Sequence, residues 1–517
     1  MLPFMAQGHL IPFIALARQI LQTTSSCSCR FNITIASTPL NIDYIRSAVS
    51  RDSTLSSARS LGQIHLSSLP FCGTDHGLAP DTENTEALPL ARIISLFQAS
   101  TALEDPTRRL LSDIIAREGR PPLCMISDIF FGWATGVAQS FQTVNISFTT
   151  GGAYGTAAYV SLWQNLPHRS TDDEEFPLPG FPESYRFHRS QLHQFLRAAN
   201  GNDPWSRFFQ TQLSLSLGSF GCLCNTAQEI EPLGVEVLKK YMKLPIWTIG
   251  PLLPPGMLRR QSLSSSNSKA PLLLGGHSGR KSGIAPEKCL EWMDKHSPGS
   301  VLFISFGSQN TISAAQMMAL AQGLEESGKP FIWVIRPPVG FDVKGQFKAD
   351  WLPDGFENRI VVDKKQGLLV KGWAPQLEIL SHKSTGAFLS HCGWNSVMEG
   401  LSQGVPIIGW PMAAEQGYNS KMLMEEMGVC VELTRGVQSN IGREEVKRVI
   451  NLVLEGKGEG WKMKEKAEEI GELIKEALRE ENGQKGSSLH AMEDFISALL
   501  SDQKSLGAAP FETLGTY

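Results

Sequence analysis

Two sets of residues in this chain are of types that do chemistry. The first is contiguous: Ser390-His391-Cys392-Gly393-Trp394-Asn395-Ser396, followed by Val397-Met398-Glu399. The short apolar run Ala387-Phe388-Leu389 reads as a buried strand ending at Ser390-His391. Gly393 then allows a tight turn, and Ser396 to Glu399 opens a helix that Gly404 ends. A strand, a glycine turn and a helix N-terminus gather unpaired N–H groups and the positive end of the helix dipole at one point, which suits a phosphate. His391, Asn395 and Ser396 add side-chain donors there, so the corner can hold an anion without a metal. The second set is His9, at a strand-to-helix turn, and Asp128, at the carboxyl end of a strand, both of types that can titrate or hydrogen-bond.

Each residue also has an ordinary reading. Ser396-x-x-Glu399 fits a capping box, which would make Glu399 a helix cap. Cys392 beside His391 has the elements of a thiol nucleophile, but a small buried cysteine fits as well. A lone histidine at a strand end is more often structural, and an aspartate there is usually a cap or turn former.

The elements that must position these groups alternate between strand and helix. His9 lies between an apolar stub and the run Leu10–Leu21, in which Ile11, Ile14, Ala17 and Leu21 share one helical face and Pro12 suits a first turn. Residues Phe31–Ser37, Leu123–Asp128 and Val144–Phe148 read as strands. In the second half, Val301–Ser305, Phe331–Ile335 and Leu368–Gly372 do so too. Such alternation predicts an α/β fold of doubly wound parallel sheets, with ligands at the carboxyl ends of the strands. His9 and Asp128 share such an edge, and Phe306-Gly307-Ser308 leaves its strand toward a helix led by Ser313.

The window from Trp373-Ala374-Pro375-Gln376 through the His391 corner and Gly404-Val-Pro-Ile-Ile-Gly409-Trp-Pro411 to Glu415-Gln416 resembles the signature box of plant secondary-product UDP-glycosyltransferases. The resemblance extends through most of the chain. It implies a GT-B type fold, two Rossmann-like doubly wound domains facing across a cleft: 1–250 for the acceptor, a linker over 251–285, 286–485 for the UDP-sugar, and 486–517 crossing back as a helix plus tail. By the same resemblance Trp373 stacks on uracil, the Ala374 backbone reads its edge, Gln376 and Glu399 hold the ribose, and Ser308, His391, Asn395 and Ser396 bind the diphosphate. The Trp394 backbone, Glu415 and Gln416 would bond the sugar hydroxyls, and His9 with Asp128 would form the catalytic dyad. Gln416 at the end of the box implies UDP-glucose as co-substrate rather than a galactose donor. Two positions depart from the family: Glu415 stands where Asp is usual, and Gly417 replaces a bulkier residue, which would loosen the wall of the sugar pocket.

The expected reaction is inverting transfer of glucose to a hydroxyl of a small lipophilic acceptor, with no cofactor and no metal; no Asp-x-Asp occurs in the chain. A UDP-sugar binder without activity and a nucleotide-sugar epimerase are the alternatives. The aromatic stretch containing Trp163, Phe176, Phe181, Phe187, Phe195, Trp205, Phe208 and Phe209 resembles the acceptor-pocket region, with core packing as the competing reading. At 517 residues two domains are the natural expectation. A charged fraction of 19% and a net charge of −4 give no case for nucleic acid. Nine cysteines, including Cys27-x-Cys29 and Cys222-x-Cys224, fit neither a disulfide framework nor zinc spacing. No apolar run reaches the roughly 18 residues of a membrane span, and the N-terminus lacks the basic flank of a signal peptide. A cytoplasmic monomer is the expected state. Arg259, Arg260, Lys269, Arg280, Lys281 and the serine run at 264–268 read as flexible linker. Only Met1–Ala6 precedes Gln7, so the first strand of the sheet is expected to be truncated, or the start to be assigned too late, with His9 poorly held.

Overall fold

The computed structural model describes residues 1–24, 31–51, 62–254, 257, 283–342, 345–437, 439–481 and 483–505. Cys27, Cys29 and the basic serine-rich stretch from Arg259 to Lys281 lie outside these. The chain forms two compact units. One holds Met1–Arg189, Gln194–Leu252 and the part from Glu476 onward; the other holds Ser190–His193 and Leu253–Lys475.

In the first unit four parallel strands lie in the order Cys124–Asp128, Val144–Thr149, Gly221–Cys224 and Ile246–Thr248, and Phe31–Ser37 pairs in parallel with Gly62–Ser68. Residues Met1 and Leu2 join the two groups. Leu2 N–H donates to the Ile126 carbonyl at 2.8 Å and its carbonyl accepts from Asp128 N–H at 2.9 Å, while the Met1 carbonyl accepts from Ala36 N–H at 2.9 Å. Met1 and Leu2 thus act as a two-residue stub of strand, Leu2 bridging in parallel to Ser127. With the stub counted first, the strand order is that of a doubly wound sheet, and the order reverses between the stub and Cys124–Asp128. Burial of the Met1 ammonium in this position pushes its pKa down to about 6.

His9 comes seven residues after Leu2, as the third residue of the helix Gln7–Thr23. That helix starts earlier than the apolar run suggests, so Pro12 falls in its second turn, where its ring nitrogen cannot donate to the Gly8 carbonyl. Leu10, Phe13, Ile14, Ala17 and Leu21 are buried on one face against Ile33, Ile35, Ile126, Ile146 and Phe148. The final helix, Ser487–Ser505, packs Met492, Phe495, Ile496 and Leu499 into the same core.

The second unit is built on six parallel strands in the order Gly367–Lys371, Phe331–Ile335, Val301–Ser305, Thr385–Ser390, Ile407–Gly409 and Cys430–Glu432. Every residue of the three strands Val301–Ser305, Phe331–Ile335 and Thr385–Ser390 is buried, as strands covered on both faces require. In chain order this is 3-2-1-4-5-6. Its reversal falls between Val301–Ser305 and Thr385–Ser390, where Ser305 pairs with Ser390. Among the described residues no helix is long and apolar enough to cross a membrane.

Candidate active site

At the reversal point of the first unit, His9 Nδ1 lies 2.6 Å from Asp128 Oδ2 and 3.3 Å from the Thr150 hydroxyl. Asp128 is fully buried, whereas the His9 side chain is 22% exposed. The second carboxylate oxygen, Oδ1, accepts from the Phe130 N–H at 3.1 Å. A carboxylate only accepts, so Nδ1 carries its hydrogen toward Asp128 and Nε2 keeps a lone pair. The ring also touches Phe4 edge-on and Phe130. From Phe4 and Phe130 an aromatic row runs through Phe97 to Phe208, Phe209 and Trp163. Of the aromatics singled out from sequence, Trp163, Phe176, Phe181, Phe187, Phe208 and Phe209 are buried, and Phe195 stacks on Trp205 with both rings partly exposed.

The turn carrying Thr150 is held from behind. Asn225 Nδ2 donates to the Thr150 carbonyl at 3.1 Å, and the Glu231 carboxylate accepts from Ala153 and Tyr154 N–H at 2.9 and 3.0 Å. Burial pushes the Glu231 carboxyl up to about 7, against these bonds. Neither residue stands out in the sequence.

In the second unit the reversal point gathers the rest. Gly393 is the N-cap of a helix that begins at Trp394, earlier than the serine suggests, and no side chain caps it. The Ser396–Glu399 capping box does not form. Glu399 instead accepts from Gln376 Nε2 at 2.6 Å, and Ser396 Oγ lies 3.2 Å from the same nitrogen. Burial raises the Glu399 carboxyl to about 7, and the Gln376 bond opposes that rise. Gln376 opens the helix Gln376–Leu380 just after Trp373 and Ala374, whose carbonyl accepts the Gln376 N–H.

His391 is 9% exposed, and its ring fills the space beside two glycines: a Cβ on Gly307 would stand 2.6 Å from its Cε1 and Nε2, and one on Gly393 would overlap Nε2. Burial first, and the nearby Arg336 charge second, push its pKa down to about 4, so the imidazole is neutral at physiological pH. Nδ1 is buried with no partner among the described residues. Between His391 and Gly393, Cys392 is buried in the left-handed region, φ 61°, with its carbonyl accepting from Asn419 Nδ2 at 3.0 Å and its N–H donating to Ser390 Oγ at 3.1 Å. Cys392 is thus a turn residue packed inward. Asn395 and Ser396 occupy the first turn of the helix, partly exposed, and Trp394 is buried.

Ser308 lies in the turn after Val301–Ser305 rather than at a helix start; the following helix, Ala314–Ser327, is capped by the Ser313–Gln316 box. Glu415 precedes the helix Gln416–Glu425 as its N-cap residue without capping through its side chain. Gln416 Oε1 accepts from both Met412 and Ala413 N–H at 2.9 Å, so this side chain has its amide NH₂ to offer a ligand. The pocket wall at Gly417 is not loosened: the Gln191 carbonyl occupies the space, and a Cβ at 417 would lie 2.6 Å from it. Arg336, which no sequence motif marks, donates to the Gly307 and Ser308 carbonyls and places its guanidinium over the Trp373 ring, 5.7 Å from the centroid. Among the described residues no His, Cys, Asp and Glu gather into a metal-binding group.

Comparison with known proteins places the chain in a family. The family model described as UDP-glucoronosyl and UDP-glucosyl transferase matches residues 274–459. The chain is 42% identical over 508 residues to crocetin glucosyltransferase 3 of Crocus sativus, covering 96% of this chain and 97% of that protein. It is 39% identical to UDP-glycosyltransferase 92A1 of Arabidopsis thaliana over 498 residues, 96% of each. Among solved structures, UGT73P12 of Glycyrrhiza uralensis complexed with glycyrrhetinic acid 3-O-monoglucuronide superposes with a TM-score of 0.78 at 26% identity, covering 98% of this chain and 96% of that one. UGT2 of Phytolacca americana complexed with UDP-2fluoro-glucose and pterostilbene gives 0.71 at 25%, covering 96% and 98%. Identity at this level, running along almost the whole chain, makes the protein a plant UDP-glycosyltransferase of the GT-B fold.

Proposed function

We propose that the protein transfers glucose from UDP-glucose to a hydroxyl of a small lipophilic acceptor, with inversion, and that His9 is the general base. The observation that carries this reading is the 2.6 Å contact between His9 Nδ1 and the buried Asp128 carboxylate, next to the aromatic row that begins at Phe4 and Phe130. His9 Nε2 takes the acceptor's hydroxyl proton, and Asp128 holds the ring in that tautomer and stabilises the imidazolium once formed. The acceptor oxygen bonds to the anomeric carbon of the α-linked sugar as the bond to UDP breaks, leaving a β-glucoside. A flat apolar acceptor would lie against Phe130.

In the second unit Trp373 would stack on the uracil, with the Ala374 backbone at its edge, and the Gln376–Glu399 pair would open to receive the ribose hydroxyls. Ser308, Asn395, Ser396 and neutral His391 would donate to the diphosphate at the helix N-terminus, stabilising charge as UDP leaves. Glu415, the Trp394 backbone and the Gln416 amide would bond the sugar hydroxyls. The names of the relatives support glucose as the sugar and lipophilic molecules such as crocetin as acceptors.

The test is a panel of phenolic, flavonoid and terpenoid alcohols incubated with UDP-glucose, with and without EDTA, following UDP release and product mass. Acceptor-dependent UDP release with a mass gain of one hexose, unchanged by EDTA, is expected. Conversion of UDP-glucose without acceptor would indicate an epimerase, and UDP-glucose binding with no turnover on any acceptor a binding protein.

A further inference from the structure

Arg336 directly follows the strand Phe331–Ile335 and is partly buried. Its guanidinium reaches two parts of the donor site that belong to different strand ends. Nη1 donates to the Ser308 carbonyl at 2.8 Å, Nη2 donates to the Gly307 carbonyl, and the group lies over Trp373. An arginine that merely closed its own strand end would have no reason to hold two successive carbonyls of a neighbouring turn.

The geometry of the peptide bond gives that grip a consequence. In a trans peptide the C=O and N–H point in opposite directions. Fixing the Gly307 and Ser308 carbonyls toward Arg336 therefore fixes the N–H groups of Ser308 and Gln309 toward the opposite side. Successive N–H groups in a turn that contains a left-handed residue form an anion-binding concavity, and Gly307 is left-handed at φ 72°. The His391 ring packs on this same glycine. The turn, the His391 ring and the helix beginning at Trp394 thus border one corner, and Arg336 stands behind it.

We propose that Arg336 is a positioning residue of the donor site, aiming the Ser308 and Gln309 N–H groups at the diphosphate while steadying the Trp373 ring. This rests on the reading of the second unit as the UDP site. Its charge also helps to keep His391 neutral, after burial, so that the ring remains a donor with a fixed hydrogen.

Lysine carries the same charge but cannot hold two carbonyls in a fork. The experiment measures the affinity of the full chain for UDP and for uridine, by calorimetry, in the parent, Arg336→Lys and Arg336→Gln, with melting temperatures alongside. Both variants should bind UDP about ten- to a hundredfold more weakly, the worth of a lost pair of charge-assisted hydrogen bonds. Uridine, which has no phosphate, should lose only a few-fold, so the ratio of UDP to uridine affinity falls about tenfold. An unchanged ratio would make Arg336 a general prop and overturn the proposal. Lysine restoring UDP affinity would overturn it too, by showing that charge alone suffices. A melting temperature more than about 10 °C below the parent in both variants would count against it for the same reason as an unchanged ratio. If the parent itself does not bind UDP, the donor-site reading fails instead.

Discussion

Replacing Asp128 by asparagine tests the His9 assignment at a single atom. The carboxylate has two jobs: Oδ1 accepts from the Phe130 N–H at 3.1 Å and Oδ2 faces His9 Nδ1 at 2.6 Å. Asparagine has one oxygen for these two donors. If it stays with Phe130, its NH₂ faces His9, Nδ1 must become the acceptor, and the ring hydrogen moves to Nε2, where it blocks proton abstraction. If it turns to His9, the NH₂ meets the Phe130 N–H in a fully buried position, at a cost of about 1–3 kcal/mol for the unsatisfied group. Either way the imidazolium formed during transfer loses its buried negative partner. The expected loss is about 10²–10⁴ in kcat, roughly 3–5 kcal/mol of barrier. KM for UDP-glucose and the affinity for UDP should change little, because neither involves this pair. The assay is steady-state glucosylation of whichever acceptor the panel identifies, with calorimetric UDP binding and thermal melting on the same preparations. His9→Ala should lose a similar amount, and the double variant hardly more than the worse single one, since the two residues act as a unit. A kcat within a factor of three of the parent in Asp128→Asn, with the variant folded, would refute the tautomer argument and with it the base role of His9. Additive losses in the double variant would show that the residues contribute separately.

Two further outcomes follow from the second unit. Trp373→Ala should weaken UDP binding by about 1–3 kcal/mol, the worth of base-on-aromatic stacking, and unchanged affinity by calorimetry would remove Trp373 from the uracil site. Glu399, held near 7 by burial in the free protein, should ionise more readily once ribose hydroxyls donate to it. The bound state then holds fewer protons, so uridine affinity should be level above pH 7 and fall as the pH drops below it, with about half a proton released per uridine bound at pH 7. Calorimetry in buffers of different ionisation enthalpy reads this directly, and a heat independent of buffer would rule out Glu399 as the ribose ligand.

The signals that reached the sequence were those carried by neighbours in the chain. A run such as Val301–Ser305, apolar up to its final serine, announces a strand buried on both faces, and the clustering of His391, Gly393, Asn395 and Ser396 announces the strand–turn–helix corner that the structure forms there. The start of the following helix differs from the local pattern for a definite reason. Ser396 and Glu399 satisfy the local rule for a capping box, yet Glu399 finds a stronger partner in Gln376, which spacing within the helix cannot reveal. Pro12 reads as a first-turn residue but lies in the second turn, because the helix extends back to Gln7 beyond the apolar period. Arg336 and Asn419 were invisible because their partners, the Gly307–Ser308 turn, Trp373 and the Cys392 carbonyl, are brought close only by the order of strands. Gly417 misleads in the opposite sense: the missing side chain suggests empty space, but Gln191 fills it.

The seat of His391 bears on the entropy of donor binding. A histidine side chain at an open surface samples several rotamers, and holding it in one to meet a ligand costs free energy at the moment of binding. Here the ring occupies the volume that side chains at 307 and 393 would otherwise take, so it is confined during folding, before any nucleotide arrives. The confinement comes from two absent side chains, and neither glycine can be replaced without evicting the imidazole. With UDP docked at this corner as proposed, binding energy would not be drawn down by immobilising the ring, and the conformational-entropy loss would fall on groups other than His391.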